Sequence, residues 1–219
     1  MRIVIAGGHG KIALLLEKML SDTGHEPIGI IRNPSHAVDL LEVGAAPLLL
    51  DLESSTAETL ADSLDGVDAV VFAAGGGSDG NAARKLSVDR DGAIMLADAA
   101  QIAGIRRIVV VSAIGTDEYD ADSDDVFQVY LRAKSEADAA IRSRDLDYTI
   151  IRPGGLTDDP ATGLVSVGET VTRGNVPRAD VAAVIAAALT APTAEGQALR
   201  SQFELVSGST SIPEAIVAL

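Results

Sequence analysis

The amino-terminal thirteen residues constrain the fold of this chain more than any other stretch. An apolar run, Arg2 to Ala6, leads directly into Gly7-Gly8-His9-Gly10, and apolar residues then recur at helical spacing from Ile12 onward. A strand, a glycine turn and a helix in this order form the phosphate-binding unit of dinucleotide-binding folds. Glycine at position 7 permits a tight turn, and a small residue at position 13 lets the helix lie close to the strand.

The same turn supplies the first candidate binding residues. A helix that begins here presents unpaired N–H groups and the positive end of its dipole, both of which attract phosphate oxygens. The spacing is Gly-x-x-Gly-x-x-Ala rather than Gly-x-Gly-x-x-Gly, so a tight strand–helix turn without a ligand is the alternative. We predict that a nucleotide is held by Gly7, Gly8, His9, Gly10, Lys11 and Ile12.

The rest of the chain predicts one α/β domain. Its 219 residues are 47% hydrophobic and only 3% aromatic, so the core is aliphatic. Such a core suits parallel strands that are covered by helices on both faces. Strand-like and helix-like segments alternate along the chain, which indicates a doubly wound parallel sheet. Strands are expected over 2–6, 26–31, 46–50, 68–74, 106–111, 146–151 and 202–206, and helices from 12, from 34, over 55–64, from about 88 to 103, over 126–143, over 180–189 and over 212–219.

We expect the whole chain, 1–219, to be a single domain with a small substrate lobe. This lobe consists of about 154–177 together with the carboxyl-terminal segment. Its first part is expected to be irregular apart from a short strand at 164–167.

Charge and cysteine content exclude several classes of protein. The formal net charge of −15 disfavours a nucleic-acid or anionic-membrane partner, because both attract a basic face. The chain has no cysteine, which excludes disulfides and thiolate metal sites and fits a cytoplasmic location. No apolar run approaches the roughly 20 residues that cross a bilayer. The acidic stretch 116–125 is expected to be a solvated loop rather than a metal site, and the protein a monomer or homodimer that binds a small molecule.

An arginine follows the predicted second strand. An acidic residue about 20 residues beyond the glycine turn would accept hydrogen bonds from a ribose 2′-OH and favour NAD. Arg32 stands in that place here, and Asn33 follows it. A guanidinium there can bind a 2′-phosphate and stack on adenine, so we predict a preference for NADP over NAD. The alternative is an exposed arginine at a helix start.

Two further strand ends carry candidate cofactor contacts. Asp51 and Leu52 follow the third predicted strand, where a side chain can reach the adenine edge or cap a helix. Small residues after the fourth strand leave room for a ribose and the bridging phosphates. These small residues are Ala73, Ala74, Gly75 and Gly76.

Tyr130 and Lys134 form a candidate catalytic pair. They are four residues apart in a predicted helix and therefore lie on one face. A lysine beside a phenol stabilises the phenolate and lowers its pKa, which makes the tyrosine a general acid or base near neutral pH. A surface pair is the alternative, because Tyr-x-x-x-Lys is common by chance. The preceding strand ends in Ser112, which is a candidate for positioning a substrate oxygen.

These features resemble the short-chain dehydrogenase/reductase superfamily, in its extended or atypical NAD(P)-binding branch related to epimerases, dehydratases and flavin reductases. The resemblance covers nearly the whole chain. It rests on Gly7-x-x-Gly10-x-x-Ala13, Arg32, Asp51-Leu52, the turn after strand four, Val110-Val-Ser112, Tyr130-x-x-x-Lys134 and Arg152-Pro-Gly-Gly155. It implies a Rossmann-like fold in which Pro153, Gly154, Gly155 and Leu156 line the nicotinamide and Lys134 contacts a ribose. The segment Arg178 to Val181 resembles a structural helix start.

Two positions depart from the family pattern. The residues after Ser112, where the family's catalytic hydroxyl often sits, are Ala113 and Ile114. Asp89 stands where an asparagine is common in the fourth helix.

We therefore expect an NADP-dependent oxidoreductase that acts on a small carbonyl, hydroxyl or flavin-like substrate. Tyr130 would transfer the proton and Lys134 would tune it. Two alternatives remain open: an NADP-binding redox-sensing regulatory protein without turnover, and an epimerase or dehydratase that retains its cofactor.

Overall fold

A computed structural model describes residues 1–77, 80–192 and 198–219, and within these ranges its centre is a nine-stranded sheet. The strands are β1 (Arg2–Ala6), β2 (Glu26–Ile31), β3 (Ala46–Leu49), β4 (Ala69–Phe72), β5 (Arg107–Val111), β6 (Asp147–Pro153), β7 (Gly155–Thr157), β8 (Leu164–Gly168), β9 (Asn175–Pro177), β10 (Ser201–Ser207) and β11 (Thr210–Ser211). Their order across the main sheet is β11-β8-β10-β6-β5-β4-β1-β2-β3, and β7 pairs separately with β9.

The helices are α1 (Lys11–Asp22), α2 (Ala37–Glu42), α3 (Ala57–Ala61), α4 (Ala82–Arg84), α5 (Ala93–Ile102), α6 (Val126–Arg142), α7 (Arg178–Thr190) and α8 (Ile212–Val217). A 3₁₀ turn, Pro34–His36, precedes α2, and a π-helical segment, Lys85–Gly92, joins α4 to α5. In the described residues, no helix has both the length and the apolar composition that a membrane-spanning helix needs.

Helices cover both faces of the sheet, and the side chains of β1 show why. Ile3 and Ile5 enter a core shared with α1, α7 and α8, whereas Val4 and Ala6 enter a second core shared with α3, α5 and α6. Successive side chains of a strand point to opposite faces, so a strand that is apolar throughout needs cover on both. The predicted Rossmann-like, doubly wound α/β fold is confirmed.

The strand order creates a switch point between β1 and β4. From β1 the chain builds outward through β2 and β3, and it then returns to place β4, β5 and β6 on the other side of β1. The pairs β1–β2, β1–β4, β4–β5 and β5–β6 are parallel, so their carboxyl ends share one edge. The crevice at such a switch point is where open α/β sheets bind ligands.

The structure corrects three details of the predicted fold. The sheet is not wholly parallel, because β8 pairs antiparallel with β10 and β11. The segment expected to be irregular contains β7 and β9 as well as β8, strands of three to five residues that are too short to show a periodicity. The long helix expected after β4 begins as α4 and the π-helical segment.

A buried carboxyl lies behind the glycine turn. Glu17 on α1 is fully buried, and neither of its side-chain oxygens has a hydrogen-bond partner. A Cβ built on Gly8 would lie 3.1 Å from Glu17 Oε1, so the glycine leaves the room that this carboxyl occupies. Burial raises the pKa of Glu17 from about 4.5 to about 8.

The replacement Glu17→Gln is expected to stabilise the protein more at alkaline than at acidic pH. Because the folded state keeps a proton that the unfolded chain loses, stability falls as pH rises from about 4.5 to about 8. Glutamine removes this slope. Urea unfolding at pH 5, 7 and 9 measures the difference, with Glu42→Gln on the exposed face of α2 as the control. Equal pH slopes for wild type and Glu17→Gln would contradict the assignment.

Candidate cofactor and active site

The glycine turn packs directly against the turn that follows β4. Gly7 has a φ of +83°, and a Cβ on it would lie 2.6 Å from Ala74 Cα. Gly10 N donates to Gly7 O at 2.8 Å, and Gly8 N donates to Ile30 O at 2.9 Å. The turn is therefore fixed between β2 and β4, and α1 begins at its open side. This is a cradle that a side chain at position 7 would fill.

A continuous cleft runs along the carboxyl edge of the sheet as three adjoining cavities. Their volumes are about 290, 930 and 290 Å³. The first, the adenosine-end cavity, is bordered by the glycine turn and the ends of β2, β3 and β4. The second, the central cavity, is bordered by the start of α1, the π-helical segment and α6. The third, the outer cavity, is bordered by α6, the turn after β5 and β7.

The cleft brings together most of the residues that the sequence predicted. Those lining it are Gly7, His9, Gly10, Lys11, Ile12, Arg32, Asp51, Leu52, Ala73, Ala74, Gly75, Gly76, Ser112, Tyr130, Lys134, Pro153, Gly154, Gly155 and Leu156. Two others have different contacts. Gly8 packs against Gly29, and the Asn33 side chain accepts from Ser35 N to cap the 3₁₀ turn. Neither of them is among the residues that line the cleft, and their predicted contact with the cofactor stays a prediction.

Paired charges border the adenosine-end cavity. Arg32 Nη1 lies 3.0 Å from Glu53 Oε2, and Arg84 Nε lies 3.4 Å from the same oxygen. Ser87 Oγ donates to Glu53 Oε1 at 2.7 Å. The guanidinium predicted to bind a 2′-phosphate thus already faces a carboxylate. Asp51 lines the cavity, as a contact with adenine requires, and it also accepts a hydrogen bond from Glu53 N at 3.0 Å. The structure therefore leaves both predicted roles of Asp51 open.

A stacked histidine pair lies beside these charges. The rings of His9 and His36 are 3.6 Å apart and nearly parallel, and His9 Nε2 lies 2.6 Å from Asp39 Oδ2. Both rings border the adenosine-end cavity. The stack joins the glycine turn to the segment after β2.

A second carboxylate bridges two cations at the mouth of the central cavity. Asp158 lies 2.5 Å from Lys11 Nζ and 2.7 Å from Arg178 Nη1. Arg178 also lines this cavity, so it lies within reach of a ligand as well as at the start of α7. The neighbouring Asp180 does have that structural role, since it accepts from Thr162 N and Gly163 N at about 3 Å.

Lys134 does not act on Tyr130 as the spacing predicted. Its ammonium donates to Val111 O at 2.9 Å and lies 3.3 Å from Asp89 Oδ1. The other oxygen of Asp89 accepts from Gly76 N at 2.9 Å. Burial raises the pKa of Tyr130, and the carboxylates of Asp89 and Asp138 add to this. The prediction of a lowered phenol pKa is wrong, and the Tyr130 phenol is neutral at physiological pH.

The hydroxyl of Ser112 is hydrogen-bonded to a buried carboxyl group, that of Asp138. This hydroxyl donates to Asp138 Oδ2 at 2.8 Å, and Arg152 Nε donates to the same oxygen at 3.0 Å. Burial raises the pKa of Asp138. In this arrangement the hydroxyl hydrogen of Ser112 is directed at Asp138, which leaves the oxygen of Ser112 as an acceptor toward the cavity.

The outer cavity has an apolar rim. Phe127 is 59% exposed and Leu156 is 37% exposed, and both border it together with Ile114. Arg173 lies at the same edge, 2.9 Å from Glu118 Oε2. Gly155 N donates to Gly174 O at 3.0 Å, which joins β7 to the segment before β9.

In the acidic stretch 116–125, which follows β5, individual aspartates make contacts that stabilise the fold. Asp117 binds Arg152 Nη1 and Nη2 at 2.5 and 3.0 Å, and Asp125 caps α6 by accepting from Phe127 N. The Arg152 guanidinium lowers the pKa of Asp117. Across the described ranges, no group of three or more histidine or acidic side chains is arranged to hold a metal ion.

Sequence reasoning missed several residues that line the cleft, namely Glu53, Arg84, Lys85, Phe127 and Arg173. None of them belongs to a motif. The signal available for Lys85 was composition, because the chain has only four lysines.

A family model described as NAD(P)H-binding matches residues 7–192. The chain belongs to this NAD(P)H-binding family. A Bacillus subtilis protein described as an uncharacterized sugar epimerase, YhfK, is 36% identical over 217 residues, which cover 99% of each chain. A solved Bacillus halodurans structure named as a candidate NAD-dependent epimerase/dehydratase superposes with a TM-score of 0.90 at 34% identity, over 100% of both chains.

A further relative is the Lactococcus lactis oxidoreductase ylbE. Its structure superposes with a TM-score of 0.84 at 29% identity and covers 100% of this chain and 96% of its own. The resemblance to the extended or atypical short-chain dehydrogenase/reductase branch is confirmed, and so is nicotinamide cofactor binding at the level of NAD(P). The Gly7 cradle at the start of α1 fits the diphosphate of such a cofactor.

The replacement Gly7→Ala is expected to weaken NAD(P)H binding at least tenfold. Alanine meets Ala74 Cα at 2.6 Å and must also adopt a φ of +83°, which costs about 1–3 kcal/mol. Isothermal titration calorimetry with NADPH and NADH measures the affinity. The control is Gly24→Ala, because Gly24 has a φ of +82° but its Cβ meets no described atom within 4 Å. Equal cofactor affinity in the two variants would refute a diphosphate site at this turn.

Proposed function

We propose that the protein is an NADP-dependent oxidoreductase that reduces a small carbonyl or flavin-like substrate, or oxidises the corresponding hydroxyl compound. The observation that carries this proposal is the position of Tyr130. This residue borders both the central and the outer cavity, and its phenol is neutral. A neutral phenol is a proton donor, which favours the reductive direction.

The nicotinamide, when bound, supplies or accepts a hydride. The chain's own residues have the remaining tasks. Tyr130 donates a proton to the substrate oxygen, and Lys134 and Asp89 brace the turn at Gly76. Leu156 and Phe127 exclude water from the reacting region. We assign the substrate lobe to about 154–177, supported by the contribution of Leu156, Arg173 and Gly174 to the outer cavity.

NADP preference rests on two cations at the adenosine end. Arg32 and Arg84 both approach Glu53. A 2′-phosphate carries more charge than this carboxylate and can accept from both guanidinium groups. An NAD ribose offers no comparable acceptor, so it gains less from displacing Glu53.

The proposal also covers the partners, the location and the oligomeric state of the protein. The net charge of −15 supports the absence of nucleic-acid and anionic-membrane partners. We propose a cytoplasmic monomer or homodimer, because a nicotinamide-dependent reaction needs access to the cellular cofactor pool.

A redox-sensing role without turnover is the second candidate. It is favoured by the bond from Ser112 to Asp138, because in this arrangement the serine hydroxyl hydrogen is not directed at a substrate. Epimerase or dehydratase chemistry is favoured by the names of two relatives. It also requires a base during transient oxidation, however, and a phenol of raised pKa is a poor one.

Cofactor choice is tested by Arg32→Gln. We expect NADPH affinity to fall about tenfold, since a hydrogen bond to a charged group contributes about 1.5–3 kcal/mol. NADH affinity should change less than twofold. Glu53→Gln should act in the opposite direction and raise NADPH affinity. Calorimetry with both cofactors measures this, with Arg106→Gln as the control outside the cleft. An equal loss of both cofactors in Arg32→Gln would remove the 2′-phosphate contact.

Proton donation is tested by Tyr130→Phe. With menadione, FMN and small aldehydes as acceptors, we expect kcat for NADPH oxidation to fall about 10²- to 10⁴-fold while cofactor affinity is retained. Tyr148→Phe is the matched control, because Tyr148 is a half-buried tyrosine on β6 outside the cleft. Unchanged kcat in Tyr130→Phe would exclude this phenol as the donor. Tight cofactor binding without oxidation by any acceptor would favour the sensor.

A further inference from the structure

Lys85 is a buried cation that faces the central cavity. The residue is only 9% exposed and opens the π-helical segment, in which Asp89 follows four residues later. Its ammonium donates to Gly77 O and lies 5.5 Å from the ring centroid of Tyr130. Lys134 lies on the same ring at 6.0 Å, so the phenol ring has two lysines beside it.

The other cations of the cleft have carboxylate partners. Lys11 and Arg178 share Asp158, and Lys134 pairs with Asp89. Arg32 and Arg84 share Glu53, and Arg173 pairs with Glu118.

Lys85 has no carboxylate partner among the residues that the structure describes. Within the described ranges, its one hydrogen-bond acceptor is the Gly77 carbonyl, and no carboxylate oxygen lies within ion-pair distance of its ammonium. An ammonium has three N–H donors, so two remain for a ligand. An uncompensated, nearly buried positive charge is costly unless something negative is bound or forms beside it.

The local backbone supports a functional position. π-Helical segments are rare and occur frequently at functional sites. Here the segment directs Lys85 and Asp89 to the cavity, where Asp89 is already occupied by Lys134 and Gly76 N.

We propose that Lys85 is a catalytic residue whose ammonium group binds the substrate oxygen on which negative charge develops during reduction. The inference rests on the proposed reductase function and assigns the electrophilic role within it. The substrate class is a conjugated carbonyl with an apolar body, since the adjoining outer cavity is rimmed by Phe127, Leu156 and Ile114.

In the proposed reaction, the substrate gains one hydride and one proton. The substrate accepts a hydride from the nicotinamide at carbon, and its C=O π pair moves onto oxygen. Lys85 N–H groups stabilise that oxygen, and the Tyr130 hydroxyl gives it a proton. The phenol then regains a proton from solvent. Donors fixed at a developing oxyanion are among the largest contributors to catalysis, and loss of one typically costs 10²–10³ in kcat.

The first test is the variant Lys85→Met with NADPH and menadione. We expect kcat to fall about 100-fold while NADPH affinity, measured by calorimetry, changes less than twofold. Lys18→Met is the control, because Lys18 is an exposed lysine paired with Asp22 on α1. Lys85→Ala should regain activity when ethylammonium is added, which a merely structural role would not produce. A kcat equal to that of Lys18→Met, or a loss confined to cofactor affinity, would overturn the proposal.

A binding readout separates this proposal from the proposed function. The probe is 2-hydroxy-1,4-naphthoquinone, which carries an anionic oxygen at neutral pH, titrated into the NADP⁺-saturated protein. We expect about tenfold weaker binding to Lys85→Met than to wild type. If wild type oxidises no NADPH with any acceptor, the reductase function fails, yet this difference in binding still supports an oxyanion site at Lys85. No binding to wild type, or equal binding to both, would refute it.

Discussion

The contact between two backbone turns at the carboxyl edge of the sheet is the constraint on which the site depends. β1 and β4 are neighbours, but the chain leaves them toward opposite sides of the sheet. Their turns meet at Gly7 and Ala74, where a Cβ on the glycine would lie 2.6 Å from the alanine Cα. Because the turns touch there and diverge beyond it, the cleft opens at that point, and α1 begins with its N–H groups directed into it. Any residue larger than glycine at position 7 separates the two halves of the fold.

The acidity of the chain determines how charge is arranged in that cleft. With a net charge of −15, most of the cations that border it are paired with carboxylates of the protein itself, as Lys11 and Arg178 are with Asp158 and Arg32 is with Glu53. An anion that binds to one of these cations therefore competes with a carboxylate of the protein. Affinity is then a difference between two ion-pair arrangements, and a modest geometric advantage decides which anion is bound.

The local sequence pattern was sufficient to predict those parts of the fold that depend on neighbouring residues. The strands of the doubly wound core, the glycine turn and the helical spacing of Tyr130 and Lys134 could all be predicted, because each depends on neighbouring residues. The short strand β8 was predicted at 164–167, but its antiparallel pairing with β10 and the edge strand β11 could not be predicted, since they depend on a partner far along the chain and on runs of only two to five residues. For the same reason, sequence could align Lys134 with Tyr130 but could not show that Asp89 takes the charge of that lysine.

The ion pair between Lys134 and Asp89 explains why the pKa of Tyr130 is not lowered in the way that the Tyr-x-x-x-Lys spacing alone predicts. A lysine lowers a phenol's pKa only if its charge acts on the phenolate. Lys134 is held by Asp89 and by the Val111 carbonyl, and burial together with the carboxylates of Asp89 and Asp138 raises the pKa of Tyr130. An asparagine at position 89 would leave the lysine charge uncompensated and the phenol easier to ionise. The aspartate therefore contributes, together with burial, to the raised pKa of Tyr130.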